Sequence, residues 1–271
     1  MKQRSWIFFI FFGVLVVLPA MQAWATFISP KRVMIEDKER AAKLTIQNGT
    51  DQTLAYRFEW EQRAQNPNGP EVVLLKEGEV SPGYKPLGDI IQFSPRQVIL
   101  KPGEHQKIRF LVKRPADLAE GEYHSHFLIK TERVDEDQIV QEANGNTVSG
   151  TLMVRANVSI PVFVRQGATS VGVNLKSASL TQIDKGAAIR VAIGNESTRS
   201  LYIKPELVCN DAQTATLQTI KLYAEAKSLE DSILIPKDFA YGSCSSLKLR
   251  LLGTDDFEYP NKMITEVNVT R

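Results

Sequence analysis

Two cysteines and three histidines are all that 271 residues contain, and this scarcity already narrows the possibilities. A chain this long with so few cysteines is not a disulfide-stapled small scaffold. Neither a C-x-x-C redox pair nor zinc-ligand spacing is present, so the cysteines read as structural. There is no G-x-S-x-G, no P-loop and no H-E-x-x-H, so no catalytic constellation is recognisable and neither an enzyme nor a cofactor is expected. A tract of basic residues is also missing. The formal net charge is +2, which gives no sign of nucleic-acid binding. The 13 prolines and 16 glycines are scattered, which argues against a collagen-like segment or a long flexible linker. No period of about 20–50 residues repeats, so a solenoid or propeller is not expected.

One long apolar run is present, at the start. Lys2 and Arg4 precede Trp6 to Leu18, and Pro19 and then Ala23-Trp24-Ala25 follow. This is the layout of a secretory signal peptide with an A-x-A cleavage site. The run is short for a bilayer span of about 20 residues, so cleavage after Ala25 is favoured over a retained anchor. The expected product is an exported chain starting at residue 26. Without Lys2 and Arg4 it carries 31 basic and 31 acidic residues. Export to an oxidising compartment favours a Cys209–Cys244 disulfide over two free thiols.

From residue 26 onward the apolar pattern has period 2, and helical periodicity is scarce. Strands are expected at 43–47, 54–60, 97–100, 106–112, 121–131 and 151–164, then at 171–175, 188–193, 201–208, 217–223, 232–235, 246–252 and 263–269. Asn48-Gly49-Thr50-Asp51 and Lys101-Pro102-Gly103 supply turns, and Val72–Leu75 adds a small strand inside the long 62–89 connection. Residues 132–149, acidic at the start, read as a loop. Short strands at this spacing point to an all-β protein of two β-sandwiches, residues 26–166 and 167–271.

The segment 151–164 stands out. Leu152, Val154, Ala156, Val158, Ile160, Val162 and Val164 alternate with Met153, Arg155, Asn157, Ser159, Pro161 and Phe163. An edge strand with its even face in a core explains this plainly. A strand partly offered to another protein as a template for β-addition explains it too, and Pro161 suits an edge because it cannot donate to a central ladder. His124 and His126 share one strand face. With His105 or an acid they could begin a metal site, but two histidines leave it incomplete and no metal is expected.

With these residues in view, the chain resembles the PapD-like periplasmic chaperones of chaperone–usher pilus assembly, in a form closer to the archaic or alternate branch. The resemblance is carried by Ile28-Ser29-Pro30-Lys31-Arg32-Val33, Asn48, Ser94-Pro95, Leu100-Lys101-Pro102-Gly103, Gly121-Glu122-Tyr123 and Ile160-Pro161-Val162-Phe163-Val164-Arg165. It implies two immunoglobulin-like sandwiches in an L, with pilin-type subunits and an outer-membrane usher as partners. It implies that Leu152, Val154, Ala156 and Val158 are lent to a subunit lacking its last strand. Arg32, which taken alone is an ordinary surface arginine, matches the family's anchor for the subunit's C-terminal carboxylate. The anchor lysine of the family is replaced by Pro161, so a second cation would have to be Arg155, His124 or Arg165. Arg109 and Glu122 match two members of an interdomain ion-pair network, with an ordinary cross-strand pair as the rival reading. The third member, an acid of the second unit, falls on Ala240 with Asp238 nearby. A cis peptide at Ser94–Pro95 and self-association of the free form, through its exposed apolar row, are further expectations. The runner-up is a secreted two-domain adhesin or surface-binding module on the same fold.

Overall fold

A computed structural model describes residues 26–133, 157–254 and 261–271. The expected signal peptide, most of the segment 132–149 expected as a loop and the expected strand donors Leu152, Val154 and Ala156, with Arg155, lie outside the described residues. Eleven strands precede residue 167: β1 (Phe27–Ser29), β2 (Val33–Ile35), β3 (Ala41–Gln47), β4 (Leu54–Glu61), β5 (Arg63–Gln65), β6 (Val72–Leu74), β7 (Ile91–Ser94), β8 (Gln97–Leu100), β9 (His105–Val112), β10 (Gly121–Arg133) and β11 (Val158–Gln166). Eight follow: β12 (Val173–Ile183), β13 (Gly186–Asn195), β14 (Leu201–Cys209), β15 (Gln213–Thr216), β16 (Ile220–Leu222), β17 (Ser228–Leu234), β18 (Leu247–Gly253) and β19 (Met263–Asn268).

The strands form two β-sandwiches in series. In the first, the sheet β1-β3-β9-β7 faces the sheet β2-β11-β10-β4-β8. Period-2 patterning dictates which side chains go inside. In β9, Ile108, Phe110 and Val112 are buried while Lys107, Arg109 and Leu111 are exposed. An aromatic cluster of Phe58, Trp60, Phe93, Phe110 and Phe127 fills the middle, with ring centroids 4.9–6.5 Å apart, mostly edge-on. Asn48 closes one end from a fully buried position. Its Nδ2 donates to the Gln52 and Leu100 carbonyls at 2.7 and 2.9 Å, and its Oδ1 accepts the Thr50 amide at 3.0 Å.

The second sandwich packs β12-β13-β17 against β15-β14-β18-β19, with β16 also paired to β14. Its core gathers Leu175, Ile189, Val191, Ile203, Leu207, Leu222, Leu249 and Leu251. Cys209 and Cys244 are disulfide-bonded within that core. Both Ser29–Pro30 and Ser94–Pro95 are cis.

Several strands differ from the sequence pattern: β5, β7 and β15 were not expected, and the expected 171–175 strand runs on as Val173–Ile183. The segment 28–33, which by resemblance is a first strand, is divided between two: β1 pairs with β3 in one sheet and β2 with β11 in the other. The 217–223 segment keeps only Ile220–Leu222 in the ladder, and Tyr223 leaves it for a contact described below. The described part of 151–164 begins at Val158 and runs on to Gln166.

The disulfide closes a loop with a sequence separation of 35, which favours the folded state by about 3–4 kcal/mol in the chain-entropy picture. A Cys209→Ser/Cys244→Ser variant is expected to lose stability of that size in denaturant titration. A loss below about 1 kcal/mol would show that the core around the sulfurs compensates.

Candidate functional site

The odd and even faces of β11 belong to two different interiors. Val158, Ile160, Val162 and Val164 turn into the core of the first sandwich, with Val158 half-buried against it. The residues between them, with their cross-strand neighbours on β10, form a face turned to the second sandwich. Register places Glu122 beside Arg165, His124 beside Phe163 and His126 beside Pro161.

Each of these pairs meets a partner from the second sandwich. Arg165 is 1% exposed. Its Nε donates to Glu122 Oε2 at 3.0 Å, its Nη1 to Glu36 Oε1 at 2.5 Å and its Nη2 to the Ser200 carbonyl at 3.4 Å. The other oxygen of Glu122 accepts the Ser200 amide at 2.8 Å. His124 Nε2 lies 3.1 Å from Glu225 Oε2, and Oε1 of the same carboxylate accepts the Gln65 amide at 2.9 Å. Phe163 packs with Tyr202 and Tyr223, and the Tyr223 hydroxyl is 3.5 Å from His126 Nε2. The β5–β6 ribbon reaches across as well. Gln65 receives the Tyr223 amide at 2.7 Å and donates to the Lys221 carbonyl at 2.9 Å, while Asn68 receives Ser228 Oγ at 2.9 Å. Gly83, at φ +79°, lies against Glu225, whose Cβ would stand 3.4 Å from a side chain placed there.

Burial sets the protonation of this face. Loss of hydration, helped by the charges of His124, Arg63 and Lys221, pushes His126 down to about 3. At Glu225 burial acts to raise the pKa, but the hydrogen bond and charge of His124, with backbone bonds from Gln65 and its own amide, outweigh it. The carboxyl therefore sits below its ordinary value.

Beside this face lies a sheet edge that no described strand fills. The His124 amide donates to the Lys85 carbonyl, on the side of β10 away from β11. Main-chain groups alternate sides along a strand, so Tyr123, Ser125, Phe127 and Ile129 are the residues that bond to β11. Their partners are Val164, Val162, Ile160 and Val158. Ser159, Pro161, Phe163 and Arg165 consequently direct their main chain outward. There β2 runs parallel and meets only Val162, Phe163 and Val164. Among the described residues no strand covers 158–161 on that side. Arg32 immediately precedes β2 and stands level with Pro161 in this register. Its guanidinium stacks 4.0 Å over the Tyr202 ring, and Nη2 reaches Thr254 Oγ1 at 3.5 Å. Burial lowers its pKa, and the neighbouring Tyr202 and Tyr223 oppose that shift.

Several sequence-derived assignments are corrected here. Arg109 and Glu122 are not brought together. Arg109 sits on the outer face of β9, level with Lys43 and Ser94 in the opposite sheet, and Glu122 takes Arg165 instead. The acid supplied by the second sandwich is Glu225, while Asp238 is exposed. His124 is paired with Glu225 and Arg165 with Glu122, both buried carboxylates. Among the described residues, no group of three or more His, Cys, Asp or Glu side chains is placed to hold a metal ion. The Glu122–Arg165 pair was within reach of the sequence, since the two residues open and close neighbouring strands. Glu225, Tyr223 and Gln65 carried no local signal.

No protein-family model matches the chain, and no curated protein matches it. Solved structures similar to it include the YadV chaperone, at 10% identity over 90% of this chain and 98% of that one, TM-score 0.49. Another is a chain of the CsuC–CsuE chaperone–tip adhesion subunit pre-assembly complex from the archaic chaperone–usher Csu pili of Acinetobacter baumannii, at 13% identity, 91% and 98% coverage and TM-score 0.48. A third is the class 5 fimbriae chaperone CfaA, at 12% identity, 91% and 100% coverage and TM-score 0.49.

The sign of the pH dependence follows from His126. The unfolded chain takes up its proton near the ordinary value of 6.5, and the folded chain refuses it until about 3. Stability is therefore complete above pH 6.5 and falls as the pH drops toward 3, by roughly 4–5 kcal/mol in all. Glu225, with its pKa lowered in the fold, adds a loss in the same direction below its ordinary 4.5. His126→Gln should flatten the decline between pH 6.5 and 3 in denaturant titrations. An unchanged slope would place the acid sensitivity elsewhere. Arg165→Ala, which leaves Glu122 buried without its guanidinium, is expected to cost about 3–5 kcal/mol.

Proposed function

We propose that this protein is a periplasmic chaperone that binds pilin-type subunits by lending them a strand and delivers them to an outer-membrane usher. The observation that carries the proposal is the edge of β11, filled by no described strand along 158–161 and ending at Arg32. A subunit lacking one strand exposes an apolar groove and unpaired main-chain groups, and a single lent strand covers both.

Charge and register support one orientation. A strand joining β11 along 158–161 meets the start of β2 end-on. Arg32 stands at that point, so a strand running parallel to β11 brings a C-terminal carboxylate to a guanidinium. An antiparallel strand would bring an ammonium there, which is repelled. Stacking on Tyr202 uses the face of the guanidinium, whereas carboxylate binding uses the donors in its plane.

In this reading residues 26–166 form the subunit-binding unit, with Leu152, Val154 and Ala156 as donors, and residues 167–271 buttress its outer face. Val158, turned toward the first core, joins the donors only at the end of the row. Export relies on residues 1–25. The work is done by binding and strand exchange, with no catalytic step and no nucleotide. The subunit is held short of its final packing, so its own folding energy remains to drive assembly.

Affinity capture of the exported protein from periplasmic extract, followed by mass spectrometry, tests this reading. The wild type is expected to recover small pilin-like partners, and both Arg32→Ala and Val154→Glu to lose them. Equal capture by the variants, or none by the wild type where such subunits are expressed, would refute it and bring forward an adhesin on the same fold.

A further inference from the structure

Pro161 occupies the last edge position before β2 begins, and it offers an arriving strand no donor, while its carbonyl faces the Val33 amide in the β2–β11 register. Its outward main-chain direction follows from the β10–β11 register, so the missing N–H costs β11 nothing on the β10 side. The gap appears only when another strand arrives. In a parallel pair, the N–H of a residue bonds to the carbonyl of the residue one place before its aligned neighbour. An N–H at position 161 would thus serve the carbonyl of the incoming residue level with Ile160. With proline there, that carbonyl has no main-chain donor.

We propose that Pro161 is a positioning residue that fixes where an added strand ends and selects a free C-terminal carboxylate over an amide or a continuing chain. The inference rests on the strand-binding reading above. A peptide carbonyl or terminal amide level with Ile160 is desolvated opposite the proline ring and left unpaired. A carboxylate at the same place is served by Arg32 through charge-assisted hydrogen bonds. Proline removes the ladder's support for an uncharged end, and Arg32 supplies support for a charged one. Ser159, the previous edge residue, keeps both its N–H and its C=O for the incoming strand. Its hydroxyl donates to Glu61 Oε2 at 3.0 Å, so the side chain is held back from the edge.

The test uses the whole exported protein and a short fluorescent peptide of alternating threonine and valine, as the free acid and as the C-terminal amide. Wild type should bind the acid about tenfold more tightly than the amide, the factor expected for one unpaired buried acceptor. Pro161→Ala and Pro161→Val both restore the N–H, and each should shrink that ratio several-fold by tightening the amide. Arg32→Ala should shrink it by weakening the acid. Unchanged melting temperatures of the two Pro161 variants would exclude a folding artefact. If both peptides bind but the ratio is the same in wild type and both Pro161 variants, the role of Pro161 is overturned and the strand-binding reading survives. If wild type binds neither peptide, both fail.

Discussion

Arg165 sits almost entirely out of solvent between Glu122 and Glu36, with the Ser200 carbonyl as a further acceptor. A guanidinium placed there is tolerable only if every contact is kept, because removing a partner leaves an uncompensated charge in a dry interface. Glu122 belongs to the first sandwich and Ser200 to the second, and Glu122 accepts the Ser200 amide as well. One cation therefore ties the end of β11, the start of β10 and the β13–β14 connection of the second sandwich into a single arrangement. The histidine–carboxylate pair and the Phe163–Tyr223 contact extend the same seam.

This seam gives the candidate edge its shape. β11 is held on one side by β10, on its even face by the first core and on its odd face by the second sandwich. What is left is one strip of main chain, bounded at one end by β2 and Arg32. Rigid support on three sides suits a template for another strand, since a strand that ordered only on binding would lose affinity to conformational entropy.

Much of this could be read in the amino-acid sequence, for a physical reason. Alternation in Leu44–Ile46 or Ile108–Val112 reports directly on which side chain faces a core, so strand positions and the sandwich class were accessible. Arg32 and Pro161 were visible as oddities of charge and backbone chemistry. The wrong pairing of Arg109 with Glu122 came from a positional likeness that did not resolve which sheet face each residue occupies. The Glu225–His124 and Gln65–Tyr223 contacts were invisible because they join points 101 and 158 residues apart, and nothing in either local pattern announces the other. The even positions of 151–164 are apolar without a break. Its second half, from Val158, answers to the protein's own core.

The β5–β6 ribbon has a consequence for how this chain can change over generations. It grows from the first sandwich, yet its Gln65 and Asn68 complete hydrogen bonds of the second. Neither half therefore carries a self-sufficient surface at the seam. Lineages that reshuffle modules by recombination would find no clean cut here, because a foreign second half would have to arrive with matching acceptors and rings. The two halves are bound to be inherited, and to drift, as one unit.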